Sequence, residues 1–446
     1  MTAQDHLSTK LNAALTKRGI SPFRGLVRLH GGAMMESWFF EASEDPFILR
    51  RAPSAEIMSG RPFGHDVEAA LIRAAREAGI TAPEIAFDLA DNDDLGSGFV
   101  MRALPGTTDP NTILACQEPD RLLAQCAQQL ARIHSLPAAS IPDAVPVLDY
   151  HQALEDLHRQ FAEAGADRPI IALGLRWLRD HLPAPIEPRL NHGDFRVGNL
   201  LVEGSRLTGV LDWEVAHWGD PHEDLAYACM TVWRFERIDR PALGLGSLTD
   251  WISAYEAFGG APVNRDRLHY WLVYRTVWWG LGCIGMAQTW RSSDPSLERL
   301  VISRRASEQE LDLLLLLESD APDAEQARTI APTHATADPA GEATASEIAV
   351  AVRDWLATLK DRVEKQDRFQ LAVARNALGM ISREDHYDGG AWRDPELSRA
   401  ILNGEQSLST PGLLGRLRRT ALDKLAADVP RYPALAVARA KWTGEA

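Results

Sequence analysis

The 446-residue sequence predicts an α+β protein with a small β-rich amino-terminal lobe, a larger helical lobe and a carboxy-terminal all-α domain. Short apolar runs separated by glycine and proline dominate residues 20–110, a pattern typical of strands and turns. From about residue 120 the apolar side chains recur with the 3.6-residue period of helices. Residues 319–346 contain one large aliphatic side chain among Ala, Thr, Pro and acidic residues, which predicts a flexible linker.

The predicted boundaries follow from these changes in pattern. They are a β-rich lobe over 1–110, a helical lobe over 111–318, the linker over 319–346 and a helical accessory domain over 347–446.

The amino-terminal lobe is predicted to contain a hairpin, two further strands and one helix. The elements are a hairpin over 25–41, a strand over 47–50, a helix over 65–78 and a strand over 98–104. Gly31 and Gly32 lie between the two apolar runs of the hairpin and predict its turn.

The helical part is predicted from apolar stripes. Leu122, Leu123, Cys126, Leu130 and Ile133 fall on one face of a helix. Residues 151–181 and 247–317 have a similar pattern. In the accessory domain one stripe consists of Ile348, Val352, Trp355, Leu356 and Leu359, and further helices are expected near 369–381 and 413–425.

Composition excludes several classes of protein. The chain has 47 basic and 62 acidic side chains, and its net charge of −15 argues against nucleic-acid binding and polybasic membrane attachment. The four cysteines are scattered without a CxxC pair, which fits a reducing cytoplasm better than a disulfide framework or a zinc site. The start has no apolar signal-peptide core, and Arg275 and glycines interrupt the apolar segment 270–290, so we expect no membrane span.

The chemistry is predicted by residues 191–228. His192-Gly193-Asp194 is followed by Asn199, and Asp212 comes 18 positions after Asp194, within Leu-Asp-Trp-Glu. Phosphoryl transfer needs a carboxylate near the attacking hydroxyl and oxygen ligands for Mg²⁺, and an HxDxxxxN loop with a second aspartate supplies both. Asp and Asn also occur in turns without a function, but the ordered set between apolar strands favours a kinase-type site.

This segment resembles the aminoglycoside phosphotransferase and choline kinase superfamily, small-molecule kinases with a protein-kinase-like bilobal fold. The family motifs HGDxxxxN, LDWE and GDPxxDLA are all present, and the resemblance covers roughly residues 20–318. It implies ATP and Mg²⁺ as cofactors, with Asp194 as the catalytic base and Asn199 and Asp212 as metal ligands.

The same resemblance implies supporting roles for other loop residues. Asp224, in GDPHEDLA, matches the buried aspartate that braces the catalytic loop in this family, and His192 is expected to orient the loop. Arg196 either binds a phosphate or substrate anion or is a solvated surface arginine.

In the amino-terminal lobe, the resemblance implies a nucleotide site. Gly31 and Gly32 occupy the place of the phosphate-covering turn, although two glycines also suit a plain hairpin. Residues 99–104 correspond to the hinge beside adenine, with Met101 and Ala103 as backbone contacts.

The phosphate-binding cation departs from the common pattern, because many relatives use lysine where this strand has Arg50 and Arg51. The register of Leu49-Arg50 favours Arg50, and the choice between the two arginines stays open. Glu68 on the following helix is its expected partner, or else a solvated charge.

The substrate is predicted only by resemblance to one branch of the family. LRRAP, HGDFRVGN and the tryptophan-rich helix resemble kinases that are fused to, or encoded beside, acyl-CoA dehydrogenases and phosphorylate hydroxyacyl-CoA thioesters. This implies a small hydroxylated substrate of the 4-hydroxyacyl-CoA type in acid catabolism, and a functional link to an acyl-CoA dehydrogenase. The side chains that either line an acyl channel or pack in the core are Trp271, Trp278, Trp279, Met286 and Trp290.

Two alternatives remain at the level of sequence. One is a kinase of the same fold that acts on an aminoglycoside, choline or a sugar. The other is a nucleotide-binding pseudokinase or scaffold, against which the intact Asp194, Asn199 and Asp212 argue. The accessory domain resembles a small helical domain of uncharacterised function found beside or fused to such kinases, through residues 374–384 and 417–432.

Overall fold

The structure is a computed structural model and describes residues 3–29, 35–292, 296–331, 343–364, 367–384 and 392–444. The chain divides into two compact units. The first contains Met1–Leu148, Pro185–Cys229 and Asp239–Leu268, and the second contains Asp149–Ala184, Met230–Ile238 and His269–Ala446. Within the described ranges, no helix is both long and apolar enough to cross a bilayer.

The strands and helices are numbered in chain order. The strands are β1 (Arg24–Arg28), β2 (Glu36–Ala42), β3 (Asp45–Ala52), β4 (Ile85–Asp88), β5 (Ser97–Arg102), β6 (Arg189–Asn191), β7 (Leu200–Glu203), β8 (Arg206–Val210) and β9 (His217–Gly219). The helices are α1 (Ala3–Lys17), α2 (Ala55–Met58), α3 (His65–Glu77), α4 (Pro110–Leu114), α5 (Pro119–Ile133), α6 (Tyr150–Glu163), α7 (Pro169–Asp180), α8 (Pro221–Tyr227), α9 (Leu248–Ala257), α10 (Arg265–Ser292), α11 (Leu297–Arg304), α12 (Ala306–Leu317), α13 (Asp323–Gln326), α14 (Ala345–Ala357), α15 (Arg368–Glu384), α16 (Pro395–Asn403), α17 (Leu413–Asp428) and α18 (Pro433–Thr443).

The first unit is built on a five-stranded antiparallel sheet of order β1-β2-β3-β5-β4. In β3, Phe47 and Leu49 are buried in a core shared with Trp38, Phe40 and side chains of α1. Because side chains alternate along a strand, Ile48 and Arg50 lie on the opposite face. The predicted hairpin is formed by β1 and β2, and its predicted turn at Gly31 and Gly32 lies outside the described residues.

Two elements of this sheet region were not predicted. Helix α1 buries Leu7, Leu11 and Leu15 in the core of the sheet. Their spacing of four residues is the signal that would have predicted the helix. Strand β4 pairs with β5 at the edge of the sheet and is only four residues long, too short for a periodicity to stand out.

Two short two-stranded sheets carry the predicted motifs. Strand β6 pairs with β9, and β7 pairs with β8, both antiparallel. The HGD segment follows β6 directly, Asn199 precedes β7, and the LDWE segment follows β8. Residues far apart in the sequence are therefore placed next to each other at the ends of these strands.

The second unit is helical and contains the last hundred residues together with α7 and α12. Arg418 Nη2 lies 2.6 Å from Glu318 Oε2, which also accepts a hydrogen bond from Trp442 Nε1 at 2.8 Å. Tyr432 Oη donates to Asp312 Oδ2 at 2.6 Å. These buried contacts lie within the same compact unit as α12, and the boundaries predicted for the accessory domain stay a prediction.

The predicted linker and helix stripe also differ from expectation in detail. Residues 323–326 form α13, and the Ile330 N–H donates to the Trp442 carbonyl at 2.9 Å. Residues 332–342 lie outside the described ranges. On α14 the large apolar side chains of Ile348, Val352 and Trp355 are exposed, because the small Ser346 and Ala349 occupy its buried face.

Candidate active site

The first unit contains a cavity of about 730 Å³ that combines apolar walls with charged side chains. Its apolar lining includes Ile48, Phe99, Met101, Leu201 and Leu211, and its polar lining includes Arg50, Arg61, Glu68, Arg196, Asn199, Asp212 and Glu214. The predicted residues Arg50, Glu68, Arg196, Asn199 and Asp212 therefore meet at one place.

The loop after β6 is shaped by a glycine and a buried carboxylate. Gly193 has a φ of +82°, and a Cβ at this position would lie 2.5 Å from the Val215 carbonyl oxygen. The turn therefore requires glycine. The Gly193 N–H donates to Asp224 Oδ1 at 2.8 Å, and the His192 N–H donates to Asp224 Oδ2 at 2.6 Å.

Asp224 is buried and has a further partner in His134, the residue that follows α5. His134 Nε2 lies 3.3 Å from Asp224 Oδ2, and His134 Nδ1 lies 2.7 Å from Tyr255 Oη. Burial by itself would raise the pKa of the Asp224 carboxyl, but the hydrogen bond and charge of His134, with the Gly193 N–H, lower it to about 2. Asp224 therefore ties the catalytic-type loop to the helical core. Sequence reasoning did not identify His134 or Tyr255.

His192 is placed to orient the loop. Its Nε2 lies 3.1 Å from the Leu211 carbonyl oxygen and therefore donates, while Nδ1 accepts from the Asp194 N–H at 3.3 Å. This pairing fits the neutral ring, and burial lowers the His192 pKa. The ring thereby links the HGD segment to Leu211, the residue between β8 and Asp212.

The Asp194 carboxylate is held by two donors. Asn199 Nδ2 donates to Asp194 Oδ2 at 2.5 Å and to the Asp194 carbonyl oxygen at 3.0 Å. Arg196 Nε donates to Asp194 Oδ1 at 2.9 Å. Burial opposes the charge of Arg196, but Asp194 and neighbouring groups raise the pKa of this guanidinium above its ordinary value. Arg196 is thus not a solvated surface residue in this structure.

Arg50 faces the cavity and contacts three carboxylates. Its Nε lies 3.1 Å from Glu68 Oε1, and its Nη2 lies 2.7 Å from Asp212 Oδ1 and 2.8 Å from Glu214 Oε2. Arg51, the alternative candidate, points elsewhere, with its Nε 2.9 Å from Glu36 Oε2. The structure therefore brings Arg50, and not Arg51, together with Glu68 and Asp212.

The shared guanidinium explains the electrostatics of this cluster. Burial would lower the pKa of Arg50, but Glu68, Asp212 and Glu214 together raise it. Burial raises the pKa of Glu68 to about 7, and repulsion from Asp212 and Glu214 offsets part of the stabilisation by Arg50. Arg50 contacts all three acids and Arg61 contacts Glu214 as well, so two cations face three acids, a charge balance that favours the arrival of further positive charge.

Asp212 and Glu214 lie on the turn after β8. Asp212 has a φ of +68°, a left-handed conformation that is uncommon for residues other than glycine and recurs at functional sites. Glu214 bridges Arg50 and Arg61, since Arg61 Nη1 lies 2.5 Å from Glu214 Oε1. Sequence reasoning did not single out either Glu214 or Arg61. The LDWE motif contains a signal for Glu214, whereas Arg61 lies in an irregular segment that carries none.

The remaining predicted residues are placed as follows. Met101 and Ala103 line the cavity, but the Arg102 and Ala103 N–H groups already donate to Glu84 and Pro46. In the second unit, Trp271 is 1% exposed and packs against three tyrosine rings, which are those of Tyr150, Tyr270 and Tyr274. Trp271 therefore packs in a core rather than lining a channel. Trp290 is exposed.

The donor set bears on metal binding. In the described part of the chain, no cluster of three or more His, Cys, Asp or Glu side chains is arranged to hold a metal ion. Asn199 and Asp212 nevertheless offer an amide and a carboxylate oxygen, and Mg²⁺ is commonly held by one or two protein oxygens together with phosphates. The residues present therefore fit Mg²⁺ brought with a nucleotide better than a metal ion held by protein alone.

Comparison with known proteins assigns the family. A family model described as "Phosphotransferase enzyme family" (APH) matches residues 25–259, more than half of the chain. The chain belongs to this family. The predicted resemblance and the predicted phosphotransferase class are therefore confirmed.

Two curated relatives match parts of this phosphotransferase. Acyl-CoA dehydrogenase family member 10 of Mus musculus is 27% identical over 280 residues, covering 58% of this chain and 26% of that protein. Acyl-CoA dehydrogenase family member 11 of Gallus gallus is 28% identical over 229 residues, covering 49% of this chain and 29% of that protein. The chain thus spans less than a third of the length of these relatives.

Solved structures confirm the fold of this phosphotransferase. A Ralstonia eutropha protein described as an aminoglycoside phosphotransferase has a TM-score of 0.54 at 19% identity, covering 68% of this chain and 95% of that chain. A thermostable mutant of aminoglycoside phosphotransferase APH(4)-Ia, complexed with AMP-PNP and hygromycin B, has a TM-score of 0.50 at 18% identity, covering 70% and 98%. These similarities show the fold, and the predicted kinase-like α+β class is correct.

Proposed function

We propose that this phosphotransferase uses ATP with Mg²⁺ to phosphorylate a hydroxyl group of a small molecule. The observation that supports this most directly is the arrangement of Asp194. Its carboxylate is held by Asn199 and Arg196, which line the same cavity as Arg50 and Asp212. A base, an amide, a second carboxylate and a cation are thus assembled beside space for a ligand.

The proposed step is an in-line phosphoryl transfer. Asp194 accepts the proton of the substrate hydroxyl while the hydroxyl oxygen bonds to the γ-phosphorus of ATP. The bond from that phosphorus to the bridging oxygen breaks, and ADP leaves with the bonding electrons. The hydrogen bonds from Asn199 and Arg196 hold the Asp194 carboxylate in one orientation, which favours a hydroxyl approaching from the cavity.

Asn199 and Asp212 are the residues that would hold Mg²⁺. The hydrogen-bond pattern assigns the nitrogen and the oxygen of the Asn199 amide. The nitrogen donates to Asp194, so the amide oxygen can bind a metal ion. When bound, Mg²⁺ neutralises charge on the phosphate oxygens. Arg50 would bind phosphate as the lysine of many relatives does, with a planar head that can form two parallel hydrogen bonds.

The apolar side chains of the cavity suit a purine. Ile48, Met101, Leu201 and Leu211 line the cavity. Since the Ala103 N–H is engaged by Pro46, we expect the base to meet carbonyl groups or other N–H groups of residues 101–104. The glycine turn proposed to cover the phosphates, at Gly31 and Gly32, lies outside the described residues.

For the substrate, we propose a hydroxyacyl-CoA of the 4-hydroxyacyl type. Two observations support this choice, namely the LRRAP and HGDFRVGN motifs and the curated relatives, which are named acyl-CoA dehydrogenase family members. Conversion of the hydroxyl to a phosphate ester makes it a better leaving group, which suits acid catabolism linked to an acyl-CoA dehydrogenase.

A substrate panel tests both levels of the proposal. The chain is incubated with Mg²⁺-ATP and hydroxyacyl-CoA thioesters, aminoglycosides, choline or sugars, and mass spectrometry detects the added phosphate. We expect phosphate on a hydroxyacyl-CoA and its loss in Asp194→Asn. The matched control is Asp94→Asn, because Asp94 is exposed and forms an ion pair with Lys10.

The outcomes separate the alternatives. Phosphate on an aminoglycoside, choline or a sugar but on no hydroxyacyl-CoA would refute the substrate and keep the kinase chemistry. Unchanged phosphorylation by Asp194→Asn would refute the proposed base. Nucleotide binding without turnover across the whole panel would favour the pseudokinase.

A further inference from the structure

The Arg61 guanidinium is a cation of the cavity that the phosphotransfer scheme above does not use. Arg61 lies between α2 and α3, and its side chain is 15% exposed. Its Nη1 lies 2.5 Å from Glu214 Oε1, while the other oxygen of Glu214 lies 2.8 Å from Arg50 Nη2. Each Glu214 oxygen therefore contacts a different arginine, and all three side chains line the cavity.

The surroundings place Arg61 close to the phosphate-binding cation already proposed. His65, the first residue of α3, is buried, and the charges of both Arg50 and Arg61 act on it, after burial itself, to lower its pKa to about 4. Two guanidinium groups thus lie on the same side of the cavity. A pair of arginines in this arrangement is suited to a polyphosphate, which presents several anionic oxygens in a row.

The ion pairs impose a condition on any ligand. The N–H groups by which Arg50 and Arg61 contact Asp212 and Glu214 become available to an anion only when those carboxylates are displaced, and a displaced carboxylate in a half-buried site is unfavourable unless another cation pairs with it. A divalent ion that arrives with a polyphosphate meets this condition. Bound together, the two ligands exchange partners with the protein, so that arginines meet phosphates and carboxylates meet the metal ion.

We propose that Arg61 binds a phosphate group of the nucleotide, and that Glu214 holds its guanidinium in place until the metal–nucleotide complex enters. This inference rests on the proposed use of ATP. It assigns to the segment between β3 and α3 a direct part in nucleotide recognition.

A purely structural Arg61–Glu214 ion pair and the proposed exchange of partners predict opposite effects of Glu214→Gln on nucleotide affinity. If Arg61 and Glu214 only stabilise each other, loss of either side chain weakens nucleotide binding. If Glu214 instead competes with phosphate for Arg61, Glu214→Gln releases the guanidinium and strengthens binding of nucleotide in the absence of metal. Arg61→Gln weakens nucleotide binding both with metal and without it.

The experiment measures ADP and adenosine binding to the full chain by calorimetry, with Mg²⁺ and with EDTA. We expect Arg61→Gln to weaken ADP binding by about 10- to 100-fold, the size of a lost charge-assisted hydrogen bond, and to leave adenosine unchanged. The matched control is Arg51→Gln, because Arg51 is 14% exposed and pairs with Glu36 at 2.9 Å in the same way. It should leave both affinities unchanged.

Each outcome decides a separate question. Equal ADP affinity of Arg61→Gln and the natural chain overturns this inference and leaves the proposed function standing. Weaker metal-free ADP binding in Glu214→Gln also overturns it. Failure of the natural chain to bind ADP contradicts the proposed function itself. If Arg61→Gln does not fold, as judged by its melting temperature, Arg61→Lys keeps the charge and should lose about 10-fold or less in ADP affinity.

Discussion

Replacement of Asp224 by Asn is expected to loosen the loop that carries Asp194 without removing any group that takes part in phosphoryl transfer. Asp224 is fully buried and accepts hydrogen bonds from the backbone N–H groups of His192 and Gly193 and from His134 Nε2. An asparagine offers one acceptor oxygen and an NH₂ group, so one of the two backbone donors would face another donor.

The magnitude follows from those contacts. A hydrogen bond to a charged acceptor contributes about 1.5–3 kcal/mol, and a buried donor left without a partner costs about 1–3 kcal/mol. We therefore expect a local destabilisation of about 3 kcal/mol, which corresponds to roughly 100-fold faster exchange of the loop amides. Hydrogen exchange of a peptide covering residues 190–200 measures this, and exchange in β3 of the same molecule is the internal reference.

The sign of the pH dependence provides a second check. Asp224 has its pKa lowered from 3.8 to about 2 in the folded state, so its contribution is present above about pH 4 and disappears as the pH falls towards 2. The shift corresponds to about 2 kcal/mol. Asp224→Asn should lack this component of the acid transition. Unchanged loop exchange together with lost phosphoryl transfer would refute the bracing role and place Asp224 in the chemistry.

Further predictions concern the loop, the second unit and the substrate. Gly193→Ala should lower the free energy of unfolding in urea by about 1–3 kcal/mol more than Gly204→Ala, because both positions have a positive φ but only the Cβ at position 193 would meet backbone atoms. Gly198→Ala should keep the melting temperature yet lower the phosphorylation rate, because its Cβ meets only the flexible Arg196 head that contacts Asp194. Arg418→Met should destabilise α12–α18 by about 3 kcal/mol in urea unfolding, because Glu318 loses its buried cation. Added salt should lower KM for a polyanionic CoA thioester and raise it for a polycationic aminoglycoside, because the chain carries −15.

The chemistry of the site could be predicted because its residues belong to short motifs. Asp194 and Asn199 are five positions apart, and Asp212 follows one hairpin later, so local spacing alone brings them near one another. The alternation of side chains along β3 also explains why Arg50 rather than Arg51 faces the cavity. The alternation distinguishes the two arginines only when the register of the strand is known to one residue.

The partners of these residues could not be predicted from local pattern. Arg50 is 162 positions from Asp212, and Arg61 pairs with Glu214 from an irregular segment without periodicity. The same holds in the second unit, where Glu318 is 100 positions from Arg418. A charged residue beside a low-complexity segment, such as Glu318, is expected from sequence to be exposed to solvent. Only the fold shows that Glu318 is buried against Arg418.

The net charge of −15 and the proposed polyanionic ligands are compatible because they act at different ranges. The charge of the whole surface acts on an approaching ligand over a Debye length of about 8–10 Å and changes the rate of encounter. Inside the cavity, by contrast, Arg50, Arg61 and Arg196 are each already paired with a carboxylate. Binding there depends on whether a ligand brings enough positive charge to replace the arginines that it takes from those carboxylates. The proposed metal–nucleotide complex would bring this charge and a free anion would not, so we expect the complex to bind more tightly than the metal-free nucleotide.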